Sequence, residues 1–119
     1  MMKRKMIVLC ATVMLVVGMV SVNSFAYNVT TRQKIGSIYN GNNYSRTAYG
    51  ILHPSGGVAE LQLCSYSGGT VYARGTYPAN PINPNRTRCS IPSYGYRYVF
   101  VEPLPNGSQA WGSEEYGLE

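Results

Sequence analysis

The chain is short, sparsely charged and rich in tyrosine, with 119 residues, a formal net charge of +5, 13% charged residues and 11 Tyr against 2 Phe. It contains no Asp, and His53 is its only histidine, so a Ser-His-Asp triad is excluded. After position 26, seven basic residues are spread thinly along the chain against five Glu. Because phosphate recognition needs a clustered basic face, this distribution argues against nucleic-acid binding.

The first 26 residues have the layout of an export signal. Residues 3–5 are Lys-Arg-Lys, residues 6–22 are almost entirely apolar, and the small residues Ser24 and Ala26 precede the expected cleavage point. An uncleaved anchor is the alternative, because the apolar run reaches the lower limit of a bilayer span. We expect cleavage after Ala26 and a secreted bacterial protein that contacts a membrane only during export. Residues 27–119 are then a single extracellular domain.

Clusters of Gly, Asn, Pro and Ser divide this domain into short segments rich in Tyr, Val, Ile and Thr. Such spacing is typical of consecutive antiparallel strands. Strands are predicted near residues 34–39, 44–52, 58–66, 70–77, 87–91, 94–101 and 109–113. The residues that follow, which include Glu114, Glu115 and Glu119, are expected to form a frayed end. The sequence predicts an all-β fold, a small antiparallel β-sandwich or barrel of about six or seven short strands.

Two cysteines remain after the signal, Cys64 and Cys89, and an even pair in an exported chain predicts one disulfide. The alternation of residues 58–66 places Leu61 and Leu63 on one face and Cys64 on the other, so the bridge is expected outside the sheet. A bulge near Cys64 would reverse this expectation. A redox pair would show a C-x-x-C spacing, and a metal site would need three or four convergent ligands. The sequence offers neither, and no cofactor is expected.

One strand carries an aromatic stripe. Tyr94, Tyr96, Tyr98 and Phe100 alternate with Arg97, Val99 and Val101, so the two sets occupy opposite faces. The stripe is either a core or cross-strand ladder, or an exposed surface on which tyrosine rings recognise another molecule. For the second interpretation the candidate binding residues are Tyr94, Tyr96, Arg97, Tyr98 and Trp111. Arg97 is included because arginine stacks on aromatic rings, and Trp111 is included because it could extend the surface.

These observations favour a secreted, non-catalytic binding module whose Tyr/Arg-rich surface recognises a glycan, the cell envelope or a protein. One alternative is a secreted antibacterial protein of the bacteriocin or toxin type. Another is a small secreted enzyme or enzyme inhibitor, in which His53, or a carboxylate pair drawn from Glu60, Glu102, Glu114, Glu115 and Glu119, would carry the chemistry. No catalytic residue is predicted.

Overall fold

The computed structural model describes residues 24–78 and 85–119, so the predicted signal residues 1–23 lie outside the described part. Eight strands form: β1 (Ser24–Val29), β2 (Gln33–Tyr39), β3 (Arg46–Gly56), β4 (Ala59–Cys64), β5 (Val71–Tyr77), β6 (Thr87–Ile91), β7 (Tyr96–Pro103) and β8 (Ala110–Leu118). The described residues include no helix long and apolar enough to cross a membrane.

The strands pack as two four-stranded antiparallel sheets, which confirms the all-β sandwich. Sheet 1 has the order β1-β8-β3-β6 and sheet 2 the order β2-β7-β4-β5. Apart from the β4–β5 hairpin, each connection crosses from one sheet to the other. Eight strands ordered in this way form a jelly roll, in which all neighbouring strands except β4 and β5 are non-consecutive in the chain.

The core lies between the sheets and follows the period of two along each strand. In sheet 2, Leu61 and Leu63 pair with Val101 and Val99 across β4 and β7, and all four are fully buried. Leu52 of sheet 1 is also fully buried in this cluster. Burial of side chains of this size contributes about 1.5–3 kcal/mol each.

The two ends of sheet 1 differ from the predictions. β1 was missed, because residues 24–26 read as part of the signal, although they pair with residues 113–115 of β8. The frayed C-terminal end was wrong: β8 continues to Leu118 and is hydrogen-bonded to β1 on one side and β3 on the other. Glu114 therefore lies inside the sandwich, where 1% of its surface is exposed.

The predicted disulfide is not formed in this structure, in which Cys64 and Cys89 are free thiols. Cys64 belongs to β4 of sheet 2, and its Sγ lies 3.4 Å from Arg32 Nη2, beside Gln62 on the outer face. Cys89 belongs to β6 of sheet 1 and packs against the core cluster. The two thiols therefore occupy different environments on opposite sides of β4.

Candidate functional site: a tyrosine ladder on sheet 2

The aromatic stripe of β7 faces away from the core. Val99 and Val101 fill the inner face of the strand and are fully buried. Tyr96, Tyr98 and Phe100 alternate with them and therefore project from the outer face of sheet 2. The stripe therefore does not belong to the core. It lies on an exposed face, where Tyr96 also forms a cross-strand pair with Tyr39.

Four rings on this face form a continuous row, which we call the tyrosine ladder: Tyr39, Tyr96, Tyr98 and Tyr66. Tyr39 of β2 stands directly opposite Tyr96 of β7 in the sheet register, and their ring centroids are 4.7 Å apart. The centroids of Tyr96 and Tyr98 are 6.0 Å apart, and Tyr66 meets Tyr98 edge-on at 5.4 Å. Ring pairs at these distances stabilise one another by about 0.5–1.5 kcal/mol.

The ladder remains open to solvent. Tyr39 and Tyr96 are each 48% exposed, and Tyr66 is 82% exposed. The ring planes are tilted by 35° between Tyr39 and Tyr96, by 24° between Tyr96 and Tyr98 and by 86° between Tyr98 and Tyr66. The rings do not share one plane, so the ladder presents a mixture of ring faces, ring edges and hydroxyl groups.

Two basic side chains border the ladder. Lys34 Nζ lies 5.2 Å from the ring centroid of Tyr98, within the range of a cation–π contact. The Arg32 guanidinium lies 3.9 Å above Phe100. Its Nε donates to Gln62 Oε1 and its Nη2 donates to the carbonyl oxygen of Gly68. Arg32 thus covers Phe100 and ties the β4–β5 loop to the sheet, which leaves the tyrosines as the open part of the stripe.

A polar network occupies the other end of the same face. The buried Gln62 donates from Nε2 to Glu60 at 2.7 Å and to Glu102 at 2.9 Å, while Arg74 donates to Glu60 at 2.8 Å. Glu60 and Glu102 stand opposite each other across β4 and β7. The shared amide keeps these two carboxylates together, and both are engaged in hydrogen bonds.

One buried asparagine connects the two loops beside the ladder. Asn40 is fully buried, and its Nδ2 donates to the carbonyl oxygens of Tyr44 at 2.8 Å and Pro92 at 3.0 Å. The Asn40 backbone N–H donates to the Gly95 carbonyl at 2.9 Å, and the Tyr94 N–H donates to Asn42 at 3.2 Å. The β2–β3 and β6–β7 loops are thereby held against each other.

The structure brings together only part of the predicted site. Tyr96 and Tyr98 belong to the ladder, and Tyr94 lies exposed in the turn that precedes β7. Arg97 points to the opposite face of β7, and its guanidinium lies 3.9 Å above the ring of Tyr72. Trp111 is 42% exposed but belongs to β8 in sheet 1, so it does not extend the stripe.

Two ladder residues, Tyr39 and Tyr66, were missing from the predicted site. Both could be recognised in the sequence as tyrosines at the ends of predicted strands. The pairing register that places Tyr39 beside Tyr96 joins residues far apart in the chain. The alternation of side chains within one strand does not predict which strand pairs with it or in which register. Tyr66 lies beyond the end of β4, in a loop that turns back over Tyr98.

A second polar position lies in a cleft of about 400 Å³ between β1 and β2, lined among others by Phe25, Tyr27, Lys34 and Glu114. Glu114 Oε2 and the Tyr27 hydroxyl are buried and have no hydrogen-bond partner within the described structure. Burial raises the pKa of Glu114 to about 7. Burial, together with the nearby Glu114 carboxylate, raises the pKa of Tyr27 to about 12.

His53 lies on the outer face of sheet 1, away from the ladder. Its Nε2 is 3.5 Å from Glu115 Oε1, and the same carboxyl group accepts a hydrogen bond from the Tyr49 hydroxyl at 3.0 Å. Arg86 Nη2 lies 3.6 Å from Glu115. The described residues contain no group of three or more His, Cys, Asp or Glu side chains that could hold a metal ion.

Comparisons with known proteins do not place the chain in a family. No protein-family model matches it, and no curated protein matches it significantly. Its structure is similar to the crystal structure of a Yersinia pseudotuberculosis-derived mitogen, with 14% sequence identity and a TM-score of 0.48, over 82% of this chain and 86% of that chain. A likeness this distant carries no information about function.

Proposed function

We propose that the protein is a non-catalytic binding module that recognises its target through the tyrosine ladder. The observation that supports this most directly is the continuous row of Tyr39, Tyr96, Tyr98 and Tyr66 on an open sheet face. Tyrosine offers a large apolar ring and a polar tip and loses little conformational entropy when it is ordered. A row of such side chains suits a target surface that is partly apolar and partly polar.

The packing of the sandwich supports a role for the ladder outside the fold. The core of sheet 2 is formed by the other faces of β4 and β7, where Leu61, Leu63, Val99 and Val101 are fully buried. The ladder adds contacts among its own rings, but much of its apolar area stays in water. Exposed apolar side chains gathered in one patch are typical of interaction sites.

The proposed function includes the location at which binding takes place. We infer that residues 1–26 direct export and are removed, and that the domain acts outside a bacterial cell on a glycan, the envelope or a protein. The apolar run of residues 6–22 and the small residues around Ala26 support export. A structural disulfide between Cys64 and Cys89 would suit such a compartment, although both thiols are free in this structure.

The proposed function can be tested with a double variant, Tyr39→Ala/Tyr96→Ala. Binding of the purified protein to cell envelopes, intact cells and immobilised polysaccharides would be measured for the natural chain and the variant. Removal of these two neighbouring rings should weaken binding at least tenfold, because aromatic hot-spot residues contribute about 2 kcal/mol or more and each 1.4 kcal/mol is a factor of ten.

Trp111→Ala is the matched control, because it removes an exposed aromatic side chain from the other sheet. It should leave binding unchanged. Thermal unfolding would establish that both variants are folded. The proposed function would be rejected if the double variant bound as tightly as the natural chain, or if the natural chain bound none of these preparations.

A further inference from the structure

Three loops meet at the ladder end of the sandwich. They are the β2–β3 loop (residues 40–45), the β4–β5 loop (residues 65–70) and the β6–β7 loop (residues 92–95), and each carries one tyrosine: Tyr44, Tyr66 and Tyr94. Fourteen of their sixteen residues are Tyr, Ser, Gly or Asn. The segments that connect strands at the opposite end contain no tyrosine. Tyr, Ser, Gly and Asn are the residues that dominate antibody binding loops.

The loops are held in place before any target binds. Asn40 bonds to both the β2–β3 and the β6–β7 loop. The β4–β5 loop is fixed by Arg32, which donates to the Gly68 carbonyl, and by the edge-on contact of Tyr66 with Tyr98. A surface that is ordered in advance loses less entropy on association.

Tyr94 has a backbone conformation that does not favour a tyrosine. Among the described residues it is the one non-glycine residue with a positive φ, at 54°. An L-residue with a Cβ is strained in this region, which Gly and Asn tolerate better. The ring is 59% exposed and repays little of this strain by burial. A strained residue with an exposed side chain is typical of a functional position rather than a stabilising one.

Positive charge predominates beside these loops. Arg46 donates from Nη1 to Asn42 in the β2–β3 loop, and Lys34 lies over Tyr98. Glu119 is the carboxylate nearest to this end, but it is engaged by three arginines: its main-chain oxygen accepts from Arg46 Nη2 at 3.2 Å, and its side chain accepts from Arg86 and Arg88. Glu60 and Glu102 bind Gln62 at the far end of sheet 2. A partner with an acidic surface would be complementary to this end.

We propose that these three loops form a paratope-like surface that docks onto an acidic patch of a folded protein. This inference rests on the proposed function and extends it, because it names the class of target and adds Tyr44 and Tyr94 to the site. A protein surface is favoured over a sugar chain because the ladder rings are tilted by 24–86° and offer no shared plane for a row of sugar rings.

The experiment combines target treatment with loop variants. Intact bacterial and animal cells that bind the purified protein would be treated either with a broad protease or with periodate, which cleaves sugar diols. Protease should abolish binding and periodate should leave it intact. A rise from 50 to 200 mM salt should weaken binding several-fold, since complementary charges are screened.

Two loop variants separate function from folding. Tyr94→Asn suits the positive φ, so it should leave the Tm unchanged or raise it by a few degrees, while binding falls at least fivefold. Tyr44→Ser should also weaken binding at least fivefold. Leu104→Ser, in an exposed loop at the opposite end of the sandwich, is the control and should bind normally.

The two proposals fail in different ways. If binding requires Tyr39 and Tyr96 but is destroyed by periodate and resists protease, the ladder binds a glycan and the paratope-like surface is rejected. Normal binding by both Tyr94→Asn and Tyr44→Ser would also reject it. If the ladder variant itself binds normally, the proposed function fails first.

Discussion

Replacing Glu114 with Gln should stabilise the protein above neutral pH and have a small effect near pH 4.5. Burial raises the pKa of Glu114 from 4.5 to about 7. Between these two values the folded protein binds more protons than the unfolded chain. The free energy of unfolding therefore falls as the pH rises through this window and becomes level above pH 7. The Gln variant has no such ionisation and should lack this slope.

The size of the effect follows from the shift in pKa. A difference of one pKa unit corresponds to 1.36 kcal/mol, so a carboxyl group with this shift makes the natural protein about 3 kcal/mol less stable at pH 8 than at pH 4.5. For a domain of this size, that amounts to a decrease in Tm of roughly 10–20 °C. Burial dominates because Glu114 is 1% exposed and Oε2 has no hydrogen-bond partner in the described structure.

The assay is urea unfolding at intervals between pH 4.5 and pH 8.5, for the natural chain and Glu114→Gln. Glu115→Gln is the control, because Glu115 lies on the outer face beside Arg86, and this variant should keep the natural slope. A natural protein whose stability is constant, or increases, from pH 5 to pH 7.5 would refute the reasoning. So would a Gln variant that shows the same loss of stability with rising pH.

Two further outcomes can be measured on the same protein. Cys64 and Cys89 are reduced in this structure, and burial raises the pKa of both thiols. A chromogenic disulfide reagent should therefore react slowly with the native protein and should modify both thiols after unfolding. Two cysteines that stay unreactive in denaturant would show that they form a disulfide. A chain that begins at Tyr27, as the predicted cleavage would leave it, lacks Phe25, which pairs with Glu114. Its free energy of unfolding should depend less on pH than that of a chain beginning at residue 24. An equal dependence on pH in the two chains would contradict this.

Strand positions were accessible from the sequence because alternation and turn residues are local signals. The period of two in residues 58–66 and 94–101 reflects the faces of β4 and β7 correctly. The role of residues 114–118 was not accessible in this way. Their position in the middle of sheet 1 depends on pairing with β1 and β3, and a buried Glu114 contradicts the ordinary preference of carboxylates for solvent.

The candidate site could likewise be predicted only in part from the sequence. Alternation separates Tyr96 and Tyr98 from Val99 and Val101, but it does not say which set faces the core. That choice depends on the partner strand, where Leu61 and Leu63 meet the two valines inside the sandwich. Because Val99 and Val101 face the core, Arg97 lies on the same side of β7 as these valines. It is therefore separated from Tyr96 and Tyr98, with which the predicted site had combined it. Trp111 is separated for a different reason, because its strand belongs to the other sheet.

The excess of tyrosine over phenylalanine in this chain can now be divided by location. Tyr27, Tyr49 and Tyr77 are buried, and the Tyr49 and Tyr77 hydroxyls bond to Glu115 and Thr87. These hydroxyls serve the fold. Another group, the ladder and the loop tyrosines, is exposed around one end of sheet 2, where a phenylalanine would add the same ring contacts but no polar tip. Tyrosine-to-phenylalanine changes in this exposed group should therefore spare folding and affect binding in proportion to the hydrogen bonds that each hydroxyl makes with the target.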